Sequence, residues 1–269
     1  MVEEKEEGII MSEQAVVWKK ENGICVITMN QPGSMNAISK AIVAGLEEAL
    51  EDCFDETVRA VVLTGSGRAF CAGGDIAEAI KDGAPHWMMQ TPKKLAVATG
   101  VMRRLPKPVI ASINGPAMGV GMSVAMACDL RIMSDKASLS QTYTSVGLSP
   151  DGAWTMTVPR IVGVAKALEM VLLDKPIKAE EALRLGLVSL VFPAAELEAE
   201  TMQLARKLAD GPTKAYATAK LLINESMLQG IEGQMERERY GISACAETED
   251  FVAGSNAIFN KTKAVFKGK

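Results

Sequence analysis

At 269 residues and 48% hydrophobic content, the chain is long enough to bury a sizeable core as one large domain or as one domain with a helical appendage. A formal net charge of −4 argues against a general nucleic-acid or anionic-membrane binder, while leaving room for a small anion held by a local cluster of donors. The five cysteines, Cys25, Cys53, Cys71, Cys128 and Cys245, are dispersed and contain no CxxC pair, which predicts reduced thiols in a cytoplasmic protein.

Residues 1–14 begin MVEEKEEGII, an acidic stretch without a long apolar run. They read as a disordered tail, neither signal peptide nor anchor. From Ala15 to Met29 the pattern predicts a hairpin turning at Glu21-Asn22-Gly23. A helix is expected over Lys40–Asp52 with Ser39 as its N-cap. Ala60–Thr64 is a short apolar run that reads as a buried strand.

The order strand, glycine loop, helix then recurs. Val61–Thr64 leads through Gly65–Asp75 into a helix from Ile76, and Val109–Ile113 leads through Asn114–Gly121 into a helix reaching Cys128. The single histidine, His86, falls in the loop-like DGAPHWMMQTP at the surface or rim, and one histidine argues against a metal site. Gly115–Ala127 is punctuated by glycine and proline, so it reads as a buried helix start rather than a membrane span. Leu130–Met133 and Gly186–Val191 are further strands. Beyond Pro193, helices are expected over Ala195–Asp210, Thr213–Leu228 and Ile231–Ala246, broken at Gly211-Pro212 and Gly230. The whole predicts an α/β core over residues 15–205 followed by a helical region over 206–269.

Each glycine loop sits between a strand and a helix, so its backbone N–H groups can face developing negative charge. Two such donors aimed at one oxygen would form an oxyanion hole. Neither loop spells GxGxxG or GxxxxGK[ST], which excludes the dinucleotide fingerprint and the P-loop by pattern.

Together with their neighbours the loops resemble the crotonase (enoyl-CoA hydratase/isomerase) superfamily. The matching pieces are NQPGSMNA from Asn30, LTGSGRAFCAGGDI from Leu63 and KPVIASINGPAMGVG from Lys107. They continue with ACDLRIMSDKASLS from Ala127, VGLSP from Val146, VPRIVG from Val158, EALRLGLV from Glu181 and AIFNKTKAVFKG from Ala257. The resemblance implies a spiral ββα core and a C-terminal helical region that assembles trimers, often paired into hexamers. It implies an acyl-CoA thioester as substrate, with coenzyme A part of that substrate and no separate cofactor. The N–H groups of Gly74 and Val120 would hold the thioester oxygen. Met35, Ala37, Ala72, Asp75 and Ile76 would line the CoA channel, mostly through backbone, and Lys261 would reach the CoA phosphate, often from an adjacent subunit.

Ser123 and Tyr143 stand where hydratases of that family carry two glutamates. Two neutral hydroxyls cannot replace two carboxylates as bases at neutral pH. A nearby acid, Asp151 in Ser149-Pro150-Asp151-Gly152, resembles the aspartate of isomerase-type members such as 1,2-epoxyphenylacetyl-CoA isomerase. On its residues alone Pro-Asp-Gly is a turn or helix-cap signal, so Asp151 is expected as proton carrier, cap or both. Tyr143 is expected as a pocket wall, Ser123 as a filler of space, and Glu78 and Asp82 on a solvated helix face. The expected activity is double-bond isomerisation of an enoyl-CoA. The alternatives are a hydratase with atypical acid/base residues, a decarboxylase of the same superfamily, a dehalogenase with Asp151 as nucleophile (though Gly100 stands where its histidine would be), and a catalytically silent acyl-CoA-binding homologue.

Overall fold

Alternation along the strands divides their side chains between two apolar layers, and this arranges everything else. The computed structural model describes residues 14–226 and 231–269. The expected acidic tail falls, except for Gln14, outside the described residues, as does the expected break at Gly230. The chain opens with β1 (Val16–Glu21) and β2 (Ile24–Met29), an antiparallel hairpin around Asn22-Gly23. The helix α1 (Lys40–Asp52) follows, and the Ser39 hydroxyl accepts from the Ile42 N–H as the expected N-cap.

Next come β3 (Ala60–Gly65), α2 (Ile76–Lys81), α3 (Ala84–Arg104), β4 (Val109–Ile113), β5 (Ala117–Met118) and α4 (Val120–Ala127). Then follow β6 (Leu130–Ser134), β7 (Ser138–Ser140), α5 (Trp154–Val162), α6 (Val164–Leu173), β8 (Ile177–Lys178), α7 (Ala179–Arg184) and β9 (Leu190–Phe192). Four helices close the order: α8 (Leu197–Ala209), α9 (Thr213–Ser226), α10 (Ile231–Ala246) and α11 (Glu249–Asn260).

The larger sheet runs β1-β2-β3-β4-β6-β9 and is parallel throughout after its opening hairpin. Cys25, Ile27, Val61, Leu63, Val109, Ala111 and Ile113 face α1, α3 and α4 in the main core. The intervening residues Ile24, Ala60, Val62, Ile110 and Ile132 face α8. This two-sided covering is why β3 and β4 read as continuous apolar runs rather than alternating ones. The small sheet β5-β7-β8 sits beside the main core.

Several expected bounds shift. His86 lies in the first turn of α3 rather than in a loop, though it is exposed as expected. The strand expected over Gly186–Val191 begins only at Leu190; its first residues are the turn closing α7, where the Leu187 N–H bonds Ala182 O. The expected division at 205/206 lies inside α8, whose length packs on the large sheet, so the physical break is Asp210–Pro212. The helix α11 was not among the expected elements, its apolar residues being interrupted by Gly254, Ser255 and Asn256.

Beyond that break the chain is tied back by polar groups. Lys220 on α9 pairs with Asp129 at 2.7 Å and donates to the carbonyls of Met102 and Lys107. Arg59 donates to Gly211 O, Thr213 Oγ1 and Phe266 O, holding both ends of the helical layer to the edge of β3.

Candidate active site

The first glycine loop is held open by a buried side chain. The Asn36 amide donates to Ser66 O and Ala69 O, and its oxygen accepts from the Gln31 N–H. Farther along, Ile38 N–H donates to Gly73 O at 2.7 Å, and Asp75 N–H donates to Ile38 O at 2.9 Å. In such a parallel bridge the intervening residue turns its own N–H away from the partner. That residue is Gly74.

The second loop is locked to the first. Met118 N–H donates to Cys71 O, and Gly119 N–H donates to Ser140 O, both at 2.9 Å. Gly119 has φ 51° and ψ −126°, a conformation only glycine adopts without strain. A Cβ there would lie 3.2 Å from Thr142 Oγ1 and 3.7 Å from Gly73 Cα, so the two loops touch at these glycines. Val120 follows as the first residue of α4, where an N–H has no partner inside the helix. Among the described residues neither the Gly74 nor the Val120 N–H has a protein acceptor.

Both residues line one cavity of about 490 Å³. Its walls are mostly apolar, with Trp87, Met88 and Leu95 from α3 and Val146 and Leu148 from the loop after β7. Among the described residues no lysine, arginine or histidine lines it, and Asp151 is the single carboxylate. A larger hollow of about 880 Å³ lies between the β1–β4 strands and α8; it touches the glycine loops only at their first residues, Gly65 and Asn114, and includes neither Gly74 nor Val120. Chemistry, not size, singles out the smaller one.

Trp87 closes one side. Its ring would sit 3.6 Å from a Cβ at Gly74, and its indole N–H donates to Glu78 Oε2 at 2.8 Å. The same oxygen accepts from the Lys40 N–H at the start of α1. Glu78, expected on a solvated face, therefore fixes a cavity wall, a role for which nine residues of separation along the chain carry no signal.

The opposite side carries the acid. Tyr143 donates its hydroxyl to Asp151 Oδ1 at 2.7 Å, and Ser123 Oγ lies 2.9 Å from the Tyr143 hydroxyl. Ser123 also donates to Asp151 O at 3.0 Å. Asp151 is followed by two residues in the left-handed region, Gly152 at φ 59° and Ala153 at φ 65°. A Cβ on Gly152 would meet Ser123 Cβ at 2.7 Å, so only glycine lets this turn approach α4 so closely. The N-cap of α5 is Ala153, with no side-chain cap bond, and Asp151 meets Trp154 N–H only through its carbonyl. The carboxylate is thus no helix cap. It faces Tyr143 and the cavity.

Burial pushes the Asp151 carboxyl above the ordinary aspartate range, with the Tyr143 hydrogen bond partly opposing the shift. Burial, reinforced by the Asp151 charge, pushes the Tyr143 phenol well up, so it stays a donor. Cys71 sits behind the first loop, and burial pushes its thiol up to about 12, which removes it as a nucleophile.

The sequence-predicted residues separate into two groups. Gly74, Val120, Asp151, Ala72, Ile76 and Tyr143 line the cavity together. Met35 and Ala37 do not; Met35 supports the loop by accepting from the Ala72 N–H at 3.0 Å, and Ala37 is buried beside it. Asp75 does not line the cavity either, because its side chain turns back to cap α2, accepting from the Glu78 N–H at 2.9 Å. Lys261 is an exposed left-handed residue ending α11 and does not line the cavity within the chain. Among the described residues no three histidine, cysteine, aspartate or glutamate side chains gather as a metal site.

Comparison with known proteins shows the family. The sequence profile of the enoyl-CoA hydratase/isomerase family matches residues 19–269. The chain is 33% identical over 259 residues to a Rhodobacter capsulatus protein described as a probable enoyl-CoA hydratase, covering 96% of this chain and 100% of that one. It is 32% identical over 253 residues to the 1,2-epoxyphenylacetyl-CoA isomerase of Escherichia coli, covering 93% and 97%. The crystal structure of an enoyl-CoA hydratase from Bacillus anthracis superimposes with a TM-score of 0.88 at 30% identity, covering 95% of this chain and 100% of that one.

Proposed function

The chain belongs to the enoyl-CoA hydratase/isomerase family, and from that premise we propose that it shifts the double bond of an enoyl-CoA. The N–H groups of Gly74 and Val120 receive the thioester oxygen, and Asp151 moves the proton. For a 3-enoyl-CoA, ionised Asp151 takes a proton from C2, and the electron pair of that C–H bond delocalises into the carbonyl as a dienolate. The two N–H donors hold the negative charge on oxygen. The dienolate then takes the same proton back at C4, leaving the double bond conjugated and Asp151 ionised.

The observation that supports this reading is the lone carboxylate. Asp151 lines the cavity with Oδ1 bonded by Tyr143, while the positions nearest to it carry hydroxyls rather than a second acid. One carboxylate suffices to carry a proton between two carbons; activating water and protonating carbon is work the family's hydratases divide between two. Ala72 and Ile76 at the cavity edge are proposed CoA contacts, with Met35, Ala37 and Asp75 shaping the loop behind them. A trimer, which exposed Met235, Ile242 and Ile258 on the outer helices would favour, would bring Lys261 towards a neighbour's CoA.

A panel of CoA thioesters in deuterated water, read by mass spectrometry, tests the reading. The expected result is isomerisation of a 3-enoyl-CoA with label at C2 or C4, abolished in Asp151→Asn. Wild-type turnover by that variant would refute it. Hydration remains the second reading, because relatives include proteins named as hydratases. Formation of 3-hydroxyacyl-CoA from a 2-enoyl-CoA would establish it, and tight binding with no exchange at any carbon would mark a silent homologue.

A further inference from the structure

A carboxylate that takes a proton and gives it back has two chemically equivalent oxygens, and rotation about Cβ–Cγ exchanges them. Asp151 is not free to rotate in this way. Its Oδ1 accepts from the Tyr143 hydroxyl at 2.7 Å, and the phenol oxygen lies 2.9 Å from Ser123 Oγ. Ser123 in turn holds the main-chain oxygen of Asp151 at 3.0 Å. Ser123 stands on α4, all eight residues of which are buried, so the triangle is braced by the core. Each hydroxyl has one proton to give. With the Tyr143 proton on Oδ1 and the Ser123 proton on the main-chain oxygen, neither can serve Oδ2, and among the described residues Oδ2 has no partner.

We propose that Tyr143 is a positioning residue that occupies Oδ1, so that Oδ2 alone carries the proton, and that Ser123 holds the Asp151 main chain in place for this task. The inference rests on Asp151 being the proton carrier. It adds that the proton stays on one oxygen, facing the cavity, between leaving one carbon and reaching the other. A carboxyl group that cannot turn offers the proton to the bound dienolate rather than to solvent. Tyr143 suits the role because burial keeps its phenol protonated. The groups facing Asp151 are Tyr143 before the short turn Thr144–Val146 and Ser123 on α4, and among the described residues no other charged side chain lines the cavity.

The test uses the full chain and 3-hexenoyl-CoA dideuterated at C2, reacted in ordinary water. Native enzyme is expected to deliver a substantial share of the label to C4. Tyr143→Phe should transfer several-fold less and lose about tenfold in kcat with little change in KM, the scale of one hydrogen bond to a charged group. Its acid limb of kcat should also move to higher pH, because a donor that favours the ionised carboxylate is gone. Ser123→Ala should show the same pattern more weakly. Native-like label transfer and an unmoved acid limb in folded Tyr143→Phe would overturn the positioning role, as would complete washout of label by the native enzyme. Asp151→Asn separates the two claims. If it isomerises normally, the carrier reading fails; if it is inactive while Tyr143→Phe is unchanged, only the positioning role fails.

Discussion

All eight residues of α4, which carries Val120 and Ser123, are buried, whereas no described side chain of α10 is. The cavity wall is held by contacts too close to relax: glycines at 119 and 152 admit neighbouring atoms where any Cβ would intrude. The outer layer leaves Met235, Tyr240, Ile242, Phe251 and Val252 exposed, and polar groups fasten it to the core, among them Lys220, Arg59 and the Arg103–Asn224 pair. Close packing transmits small displacements, and tethered helices do not. Substitutions in the first region should therefore change chemistry, and those in the second should change docking.

The largest effect is expected at Gly119→Ala. Moving the backbone that presents the Val120 N–H should cut turnover about 100-fold, the cost of losing one oxyanion donor, with an unchanged circular dichroism spectrum. Next is Lys220→Ala, which leaves Asp129 part-buried without its partner. It should cost about 3 kcal/mol in denaturant unfolding and raise amide exchange in α9, while a folded fraction keeps its chemistry. Burial alone already pushes Asp129 up and Lys220 down, so neither charge is comfortable there without the other. Thr248→Ala removes the hydroxyl that caps α11 at Phe251 N–H and should cost about 1 kcal/mol, seen as faster exchange in that helix.

The smallest effect runs in the opposite direction. The folded pKa of Asp151 lies above its unfolded value, so the protonated form is the one the fold favours. That stability is present below the unfolded pKa and is lost as pH rises through the folded one. At neutral pH, Asp151→Asn should therefore raise Tm even as it removes activity. Activity has the mirror dependence: it needs the ionised carboxylate, so kcat/KM should fall as pH drops through the raised value. A melting curve and a pH–rate profile check the two halves.

Much of this architecture was legible along the chain. Ser39 before an amphipathic run, Asn-Gly between two apolar segments and apolar runs ending in glycine are local signals with local causes, and they placed α1, the hairpin and the strands β3 and β4 within a residue or so. Six of the ten expected site residues line one cavity, and four of them, Ala72, Gly74, Ile76 and Val120, lie in or beside the two glycine loops, continuous stretches whose spelling is itself the signal. The Asp75 side chain has a local role that its position also signals, since an aspartate before a helix is first of all a cap.

Other features depended on tertiary packing. Glu78 reaches Trp87, Tyr143 reaches Asp151, and Ser123 reaches both across 20 and 28 residues, distances along the chain at which periodicity is silent. By itself the sequence determined the alternation of strand, glycine loop and helix, because backbone conformation at glycines and caps is a property of neighbouring residues. Only the folded chain decided that Asp151 faces a hydroxyl and a cavity rather than the end of a helix, because that depends on which buried partners the packing brings within hydrogen-bonding distance.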